Sequence, residues 1–385
     1  MILQSAIVLM GLLCGVLLMR GFVRLGAGGR GSPEELDTGA ARVTVIIPAR
    51  DEEGNIPRLL ESLRQQSRPP DEVIVVDDGS SDRTAELAAG MGATVLQPEE
   101  PPAGWAGKSW ACWSGAKAAR GDYFIFLDAD TALGEDGIRQ LMGECMAMKG
   151  QGILTVQPFH GMAKLYEQLS AFFNLVVVFA VGPGHEAGQP KLTGDRGNQG
   201  GFGPCLALSR ELYETLDGHR AIAGKVLEHY ELCRHASSLG VPIRNRLGDK
   251  GVSFRMYPDG LLALANGWAK GFAAGAARTG TSRLLGVALW LSGAATSASM
   301  VLQYGAEGWG AELLLALAAY LLFALQLRGW LGRAGSFHPL TAWLYPIPLA
   351  FYMLLFLYSW LRIFILRKVS WKGRSLHMGN GRDQP

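Results

Sequence analysis

Asp122-Tyr123-Phe124-Ile125-Phe126-Leu127-Asp128-Ala129-Asp130 decides how the rest of the chain is read. Tyr123 to Leu127 is an uninterrupted run of aromatic and branched side chains, the pattern of a buried strand. It stops at two acids, Asp128 and Asp130. Alternate residues of a strand share a face, so both carboxylates can point to one side. Acids at the carboxyl end of a central strand lie where open α/β sheets bind ligands. Two such oxygen donors suit a hard divalent cation that also touches a diphosphate. The plain alternative is a strand followed by an acidic turn.

The segments before it favour a site. Val43 to Ile47 is a branched strand closed by Pro48-Ala49-Arg50-Asp51-Glu52-Glu53, and Asn55 and Pro57 start a helix reaching Gln66. Glu72 to Val76 is a second strand, ending in Asp77-Asp78-Gly79-Ser80-Ser81-Asp82. Gly79 permits a tight turn there, and Ser81 or Asp82 can cap the helix that follows. Ala93 to Leu96 is a third strand, and Lys108 opens a helix that ends near Arg120. Strands alternating with helices predict a largely parallel sheet covered on both faces. Acids close three of these strands: Asp51, then Asp77 and Asp78, then Asp128 and Asp130.

Composition narrows the class. The 385 residues are 49% hydrophobic with a net charge of +2, so nothing global points to nucleic acid. Cys14, Cys112, Cys145, Cys205 and Cys233 are scattered, without the paired spacing of a zinc site or a disulfide framework. That suits a reduced, cytosol-facing middle. Apolar residues concentrate at both ends. Ile2 to Met19 carries no charge and is long enough to span a bilayer. Arg20, Arg24 and Arg30 follow it, which places the next segment in the cytoplasm and argues against a cleaved signal peptide.

At this point the chain resembles family-2 glycosyltransferases of the GT-A fold. The likeness rests on Val43 to Ala49 with its acid cluster, on Val75-Val76-Asp77-Asp78-Gly79-Ser80-Ser81-Asp82, and on Leu127-Asp128-Ala129-Asp130. It implies an α/β, Rossmann-like catalytic domain that binds a nucleotide-sugar donor, by family habit a UDP-sugar, with a divalent metal, Mn²⁺ or Mg²⁺. Carried over by motif, Asp78 contacts the nucleobase, Pro48, Ala49 and Asp51 line its pocket, and Asp130, with Asp128, holds the metal. Lys108 approaches the diphosphate. Asn198-Gln199-Gly200-Gly201-Phe202-Gly203 matches a loop bordering the acceptor pocket, which implicates Gly201 and Phe202. Val226 to Leu232 resembles the segment carrying the catalytic base. Relatives there often have Glu-Asp where this chain has Glu228-His229. Glu228 is the first choice for the base and His229, whose imidazole titrates near neutrality, the second.

Asn266-Gly267-Trp268-Ala269-Lys270-Gly271-Phe272 lies in a segment too interrupted for a clear span and reads as a membrane-surface helix. Processive polysaccharide synthases carry Gln-x-x-Arg-Trp at such a place. The Gly-Trp-x-Lys found here, with Trp268 and Lys270 facing an acceptor, resembles instead the smaller membrane transferases that glycosylate carotenoids or occur with hopanoid pathways. The reading implied is inverting, metal-dependent transfer of a hexose to a lipidic acceptor at the cytoplasmic face of the cell membrane. A processive synthase and a non-catalytic nucleotide-binding scaffold are the alternatives.

The expected division is a membrane anchor over 1–20, a linker over 21–42, a catalytic domain over 43–258, an interfacial helical segment over 259–283, a multi-pass membrane region over 284–366 and a basic cytoplasmic tail over 367–385. Three apolar runs, Leu284 to Leu302, Leu313 to Leu327 and Leu340 to Ile365, pose a parity problem. Three full spans would put Arg367, Lys368, Lys372 and Arg374 outside, against the positive-inside rule. One run is then re-entrant or interfacial, and Leu313 to Leu327 is the shortest.

Overall fold

A computed structural model describes residues 1–26, 41–184, 199–225, 227–276, 279–364, 369–371 and 374–376, with backbone alone for 270–276 and from 362 onward. The linker expected around 27–40 and most of the basic tail lie outside these residues.

Eleven strands of the described chain build two sheets: β1 (Val23–Arg24), β2 (Val43–Ala49), β3 (Glu72–Asp77), β4 (Thr94–Leu96), β5 (Tyr123–Leu127), β6 (Thr131–Leu133), β7 (Ile153–Gln157), β8 (Phe159–His160), β9 (Cys205–Ser209), β10 (Ile243–Leu247) and β11 (Val252–Phe254). The main sheet runs β1-β10-β7-β9-β5-β2-β3-β4. Its pairs are parallel except that β9 runs antiparallel to both β5 and β7. The expected parallel sheet is therefore mixed at its centre. A small sheet, β6-β11-β8, stands beside it.

The alternation expected of β5 is realised. Phe124 and Phe126 join the apolar cluster on one face of the sheet, and Ile125 and Leu127 join the cluster on the other. Helix Gly107–Ala118 packs against β2 closely enough that a Cβ on Gly115 would come 2.6 Å from the Ile46 side chain. The N-cap of helix Thr84–Gly90 is Arg83 rather than Ser81 or Asp82; Asp82 lies one residue earlier and accepts from the Thr84 amide at 3.0 Å.

Among the residues described with side chains, three helices are long and apolar enough to cross a membrane: Ile2–Met19, Thr281–Glu307 and Ala311–Ala334. Gly11 and Gly293 let the first two approach closely, since a Cβ on either would lie 2.9 Å from the other's Cα. Leu313 to Leu327, the shortest apolar run, is thus the interior of a 24-residue helix. Helix Pro346–Phe364, 19 residues long and largely apolar, follows a separate short helix at Pro339–Trp343. Run length understated helix Ala311–Ala334 because the charged residues Glu312, Arg328 and Arg333 near its ends lie outside the apolar run.

The segment expected on the membrane surface is helix Leu261–Ala276. Its Trp268 is turned inward, 8% exposed and stacked on Phe173 with ring centroids 5.0 Å apart, while Leu261 and Leu262 at its start are exposed. Ser359 Oγ donates to the Ala269 carbonyl, which ties this helix to Pro346–Phe364.

Candidate active site

Strand ends β2, β3 and β5 and the start of helix Gly107–Ala118 converge on a pocket of about 160 Å³. Pro48, Ala49, Arg50, Glu52, Asp78, Lys108, Asp128 and Asp130 are among its lining residues. The two acids, in the turn that follows β5, thus face one space. Asp78 N donates to Ala49 O at 2.9 Å, which fastens the ends of β2 and β3 together. Arg50 Nη1 lies 3.7 Å from Asp78 Oδ2. Gly107 makes room for that carboxylate, since a Cβ there would sit 2.6 Å from Asp78 Oδ2.

Asp51 behaves differently from expectation. Its Oδ1 accepts from the Ser81 amide at 2.8 Å and from Ser81 Oγ at 3.0 Å, and its backbone lies at φ 52°. It braces the β3 turn, and its neighbours Arg50 and Glu52 line the pocket instead. Asp77 is likewise structural, accepting from the Ser80 amide and from Gln97 Nε2.

Lys108 links the pocket to helix Glu228–Ser238. Its Nζ lies 2.7 Å from Asp128 Oδ1 and 2.8 Å from Glu228 Oε1. Burial opposes the charge on Lys108, but the two carboxylates outweigh it and hold the amine well above the ordinary lysine range. Burial likewise opposes the charge on Glu228. Lys108 and then His229 reverse that, and the carboxyl sits below its usual range. Glu228 is therefore an ionised acceptor at neutral pH.

Asp130 has no such partner. Burial and the negative charge of Asp128 push its carboxyl up to about 7, and its Oδ1 is enclosed without a hydrogen-bond donor. An orphaned oxygen in an acid-rich pocket fits a hard divalent cation.

His229, adjacent to Glu228, points elsewhere. It is fully buried, and its Nδ1 donates to the Gly203 carbonyl. Gly201 and Phe202 are buried too and line neither of the cavities at the site. The Phe202 amide donates to Thr155 Oγ1 at 2.9 Å, and a Cβ on Gly201 would meet Cys233 Sγ at 2.4 Å. The glycines of this loop let it press against the helix bearing Glu228. Lys270 belongs to helix Leu261–Ala276, but its side chain is outside the described residues.

Beside the polar pocket is an apolar cavity of about 570 Å³, walled by Val176, Met256, Tyr257, Trp268, Val287, Leu291 and Phe356 among others. The sequence did not disclose it, because its walls come from five separated segments. Tyr257 is where the two spaces approach each other. Burial, and then the charge of Asp130, push its phenol up. Its backbone is left-handed at φ 56°, and its ring lies against Gly267, where a Cβ would come within 2.0 Å. Gly267 is the sequence signal for this contact.

The family model described as "Glycosyl transferase family 2" matches residues 44–216. The chain is 33% identical over 373 residues to 4,4'-diaponeurosporenoate glycosyltransferase of Staphylococcus aureus strain USA300, covering 96% of each chain. The protein of the same name from strain MRSA252 is also 33% identical, over 375 residues. Among solved structures, the mannosyltransferase PcManGT from Pyrobaculum calidifontis, in complex with GDP-Man and Mn²⁺, shares the fold at a TM-score of 0.50 and 18% identity, covering 90% of this chain and 94% of its own.

Proposed function

Because the chain belongs to glycosyl transferase family 2, and is thus a glycosyltransferase with a GT-A-like domain, we propose that it moves a hexose from a nucleoside-diphosphate donor to a long apolar acceptor, with inversion, at the cytoplasmic face of a membrane. The observation that carries this reading is the Lys108 ammonium, held between Asp128 of the polar pocket and the buried carboxylate Glu228.

Pro48, Ala49 and Asp78 hold the nucleoside, for which uridine is the expected base, and Lys108 meets the diphosphate as a point charge. Asp130 and Asp128 hold a divalent cation, as Mn²⁺ accompanies GDP-Man in the Pyrobaculum enzyme. When bound, such a cation offsets charge on the departing diphosphate. Glu228 accepts the acceptor's hydroxyl proton as that oxygen bonds the anomeric carbon and the bond from that carbon to the diphosphate breaks. One base and one displacement give inversion.

The acceptor's hydrocarbon lies in the apolar cavity, and Tyr257 marks the passage towards the polar pocket. The Staphylococcus relative is named for an apolar carboxylate, which favours a carotenoid-like or similar lipid here. The cavity's mainly aliphatic and aromatic lining disfavours a channel for a polar polymer.

The same reading has Ile2–Met19, Thr281–Glu307 and Ala311–Ala334 cross and Pro346–Phe364 stay on the domain side, an arrangement favoured by the positive-inside rule because it returns the basic tail to the cytoplasm. The test is transfer of labelled hexose from a panel of nucleotide sugars into the organic-extractable fraction of membranes containing the protein. Label that stays in water-soluble polymer would reject the reading.

A further inference from the structure

Behind the polar pocket lies a second, unassigned cluster. Cys112 follows Lys108 by one helical turn, His219 sits in the 3₁₀ turn Gly218–Ile222, and His229 directly follows Glu228. All three are fully buried. Among the described residues, Cys112 Sγ and one ring nitrogen from each histidine lie within 4.8 Å of one another.

The hydrogen bonding of the two rings is one-sided. His229 Nδ1 faces the Gly203 carbonyl, so that nitrogen carries the proton. His219 Nδ1 lies 2.9 Å from Tyr213 Oη. On both rings Nε2 is buried with no hydrogen-bond partner. For His229 no protonation state repairs this. A neutral ring leaves a bare lone pair, and a charged ring leaves an N–H without an acceptor. A buried unpaired polar atom in a native protein calls for an explanation such as an ion. Ring bonds from Nδ1 to a carbonyl and a hydroxyl are also the supports that orient imidazoles for a metal. Phe126 closes the wall, with ring centroids 4.9 Å from His219 and 5.6 Å from His229.

We propose that Cys112, His219 and His229 bind a borderline-soft divalent cation of the Zn²⁺ class, through one thiolate and two Nε2 atoms. Zinc–nitrogen and zinc–sulfur bonds of the usual lengths place tetrahedral donors about 3.3–3.6 Å apart. The donor atoms, within 4.8 Å of one another, would draw together by about 1 Å to reach that spacing. No fourth His, Cys, Asp or Glu of the described residues joins the group, so water takes the remaining position. Binding ionises Cys112, and its proton passes to solvent. The site differs from the Asp128–Asp130 pair in donor chemistry, nitrogen and sulfur against oxygen. It would pin together the elements carrying Lys108 and Glu228, one residue or one turn from each. The proposal stands whether or not the transferase reading does.

The experiment uses full-length, tag-free protein in detergent with Asp130→Ala, which removes the oxygen-donor site. Metal content is measured after zinc loading and gel filtration, and the absorption spectrum after cobalt loading. Expected are stoichiometric zinc and a thiolate-to-cobalt charge-transfer band, with both lost on adding Cys112→Ser. His229→Gln, a substitution of similar shape, should also abolish the band should the cysteine variant fail to fold. Absence of retained zinc, or a cobalt spectrum without a thiolate band, would overturn the proposal.

Discussion

Lys108 Nζ lies 2.8 Å from Glu228 Oε1, joining residues 120 positions apart in the sequence. The same ammonium reaches Asp128 at 2.7 Å, so the candidate base and a candidate cation ligand share one counter-charge. Removing that charge should disturb both. Lys108→Met removes the largest charge opposing burial at Glu228 and leaves only the weaker contributions of His229 and the backbone against it, and burial raises a carboxyl. The acid limb of the kcat/KM profile should move to higher pH, and the rate at neutral pH should fall by about 10²-fold or more. An unshifted limb would show that the ammonium does not set the state of Glu228.

Glu228→Gln keeps the shape and removes the base. With a hydroxyl acceptor, kcat should fall by about 10²–10⁴-fold. With a carboxylic acid acceptor, already ionised above a pKa of about 4, the loss should be small. Single-turnover rates with an alcohol and an acid of matched chain length separate the cases. Equal, negligible losses with both would remove Glu228 from the mechanism.

The apolar cavity makes its own prediction. Leu291→Trp adds bulk to a wall formed by a membrane helix. KM for a long-chain acceptor should rise at least about tenfold, which corresponds to about 1.4 kcal/mol, while the donor KM stays constant. An unchanged acceptor KM would place the hydrocarbon elsewhere.

His160 offers a pH test away from the chemistry. It is 1% exposed, and burial pushes its imidazole down to about 4 from 6.5. The unfolded chain therefore binds a proton near pH 6.5 that the folded chain refuses until about pH 4. This contribution is complete above pH 6.5, diminishes as pH falls, and is lost near pH 4; it amounts to about 3 kcal/mol. His160→Phe should flatten the dependence of the thermal midpoint on pH across that window. An identical slope in the variant would contradict the assignment.

Much of this was legible in the sequence because it was local. β5 occupies Tyr123 to Leu127 as its composition predicts, and Asp128 and Asp130 face one pocket because the strand ends there in a tight turn. Long-range features escaped. The left-handed backbone of Asp51 turns its carboxylate to Ser81, thirty residues on, which no local pattern foretold. The apolar cavity and the Cys112–His219–His229 cluster each gather residues from separate elements, so neither has a spacing to recognise. The extent of helix Ala311–Ala334 was hidden for another reason, the charged residues at its ends, which a search for apolar runs discards.

The most direct measurement is nucleoside-diphosphate release by detergent-solubilised protein from a panel of nucleotide sugars, with membrane lipid extract, in Mn²⁺ or Mg²⁺ and then in EDTA, beside Asp130→Ala. Expected is release from one donor that needs the cation and is abolished in the variant, since Asp130 Oδ1 is the enclosed oxygen left without a donor. Release that persists in EDTA and in Asp130→Ala would contradict a cation-assisted transfer at this pocket.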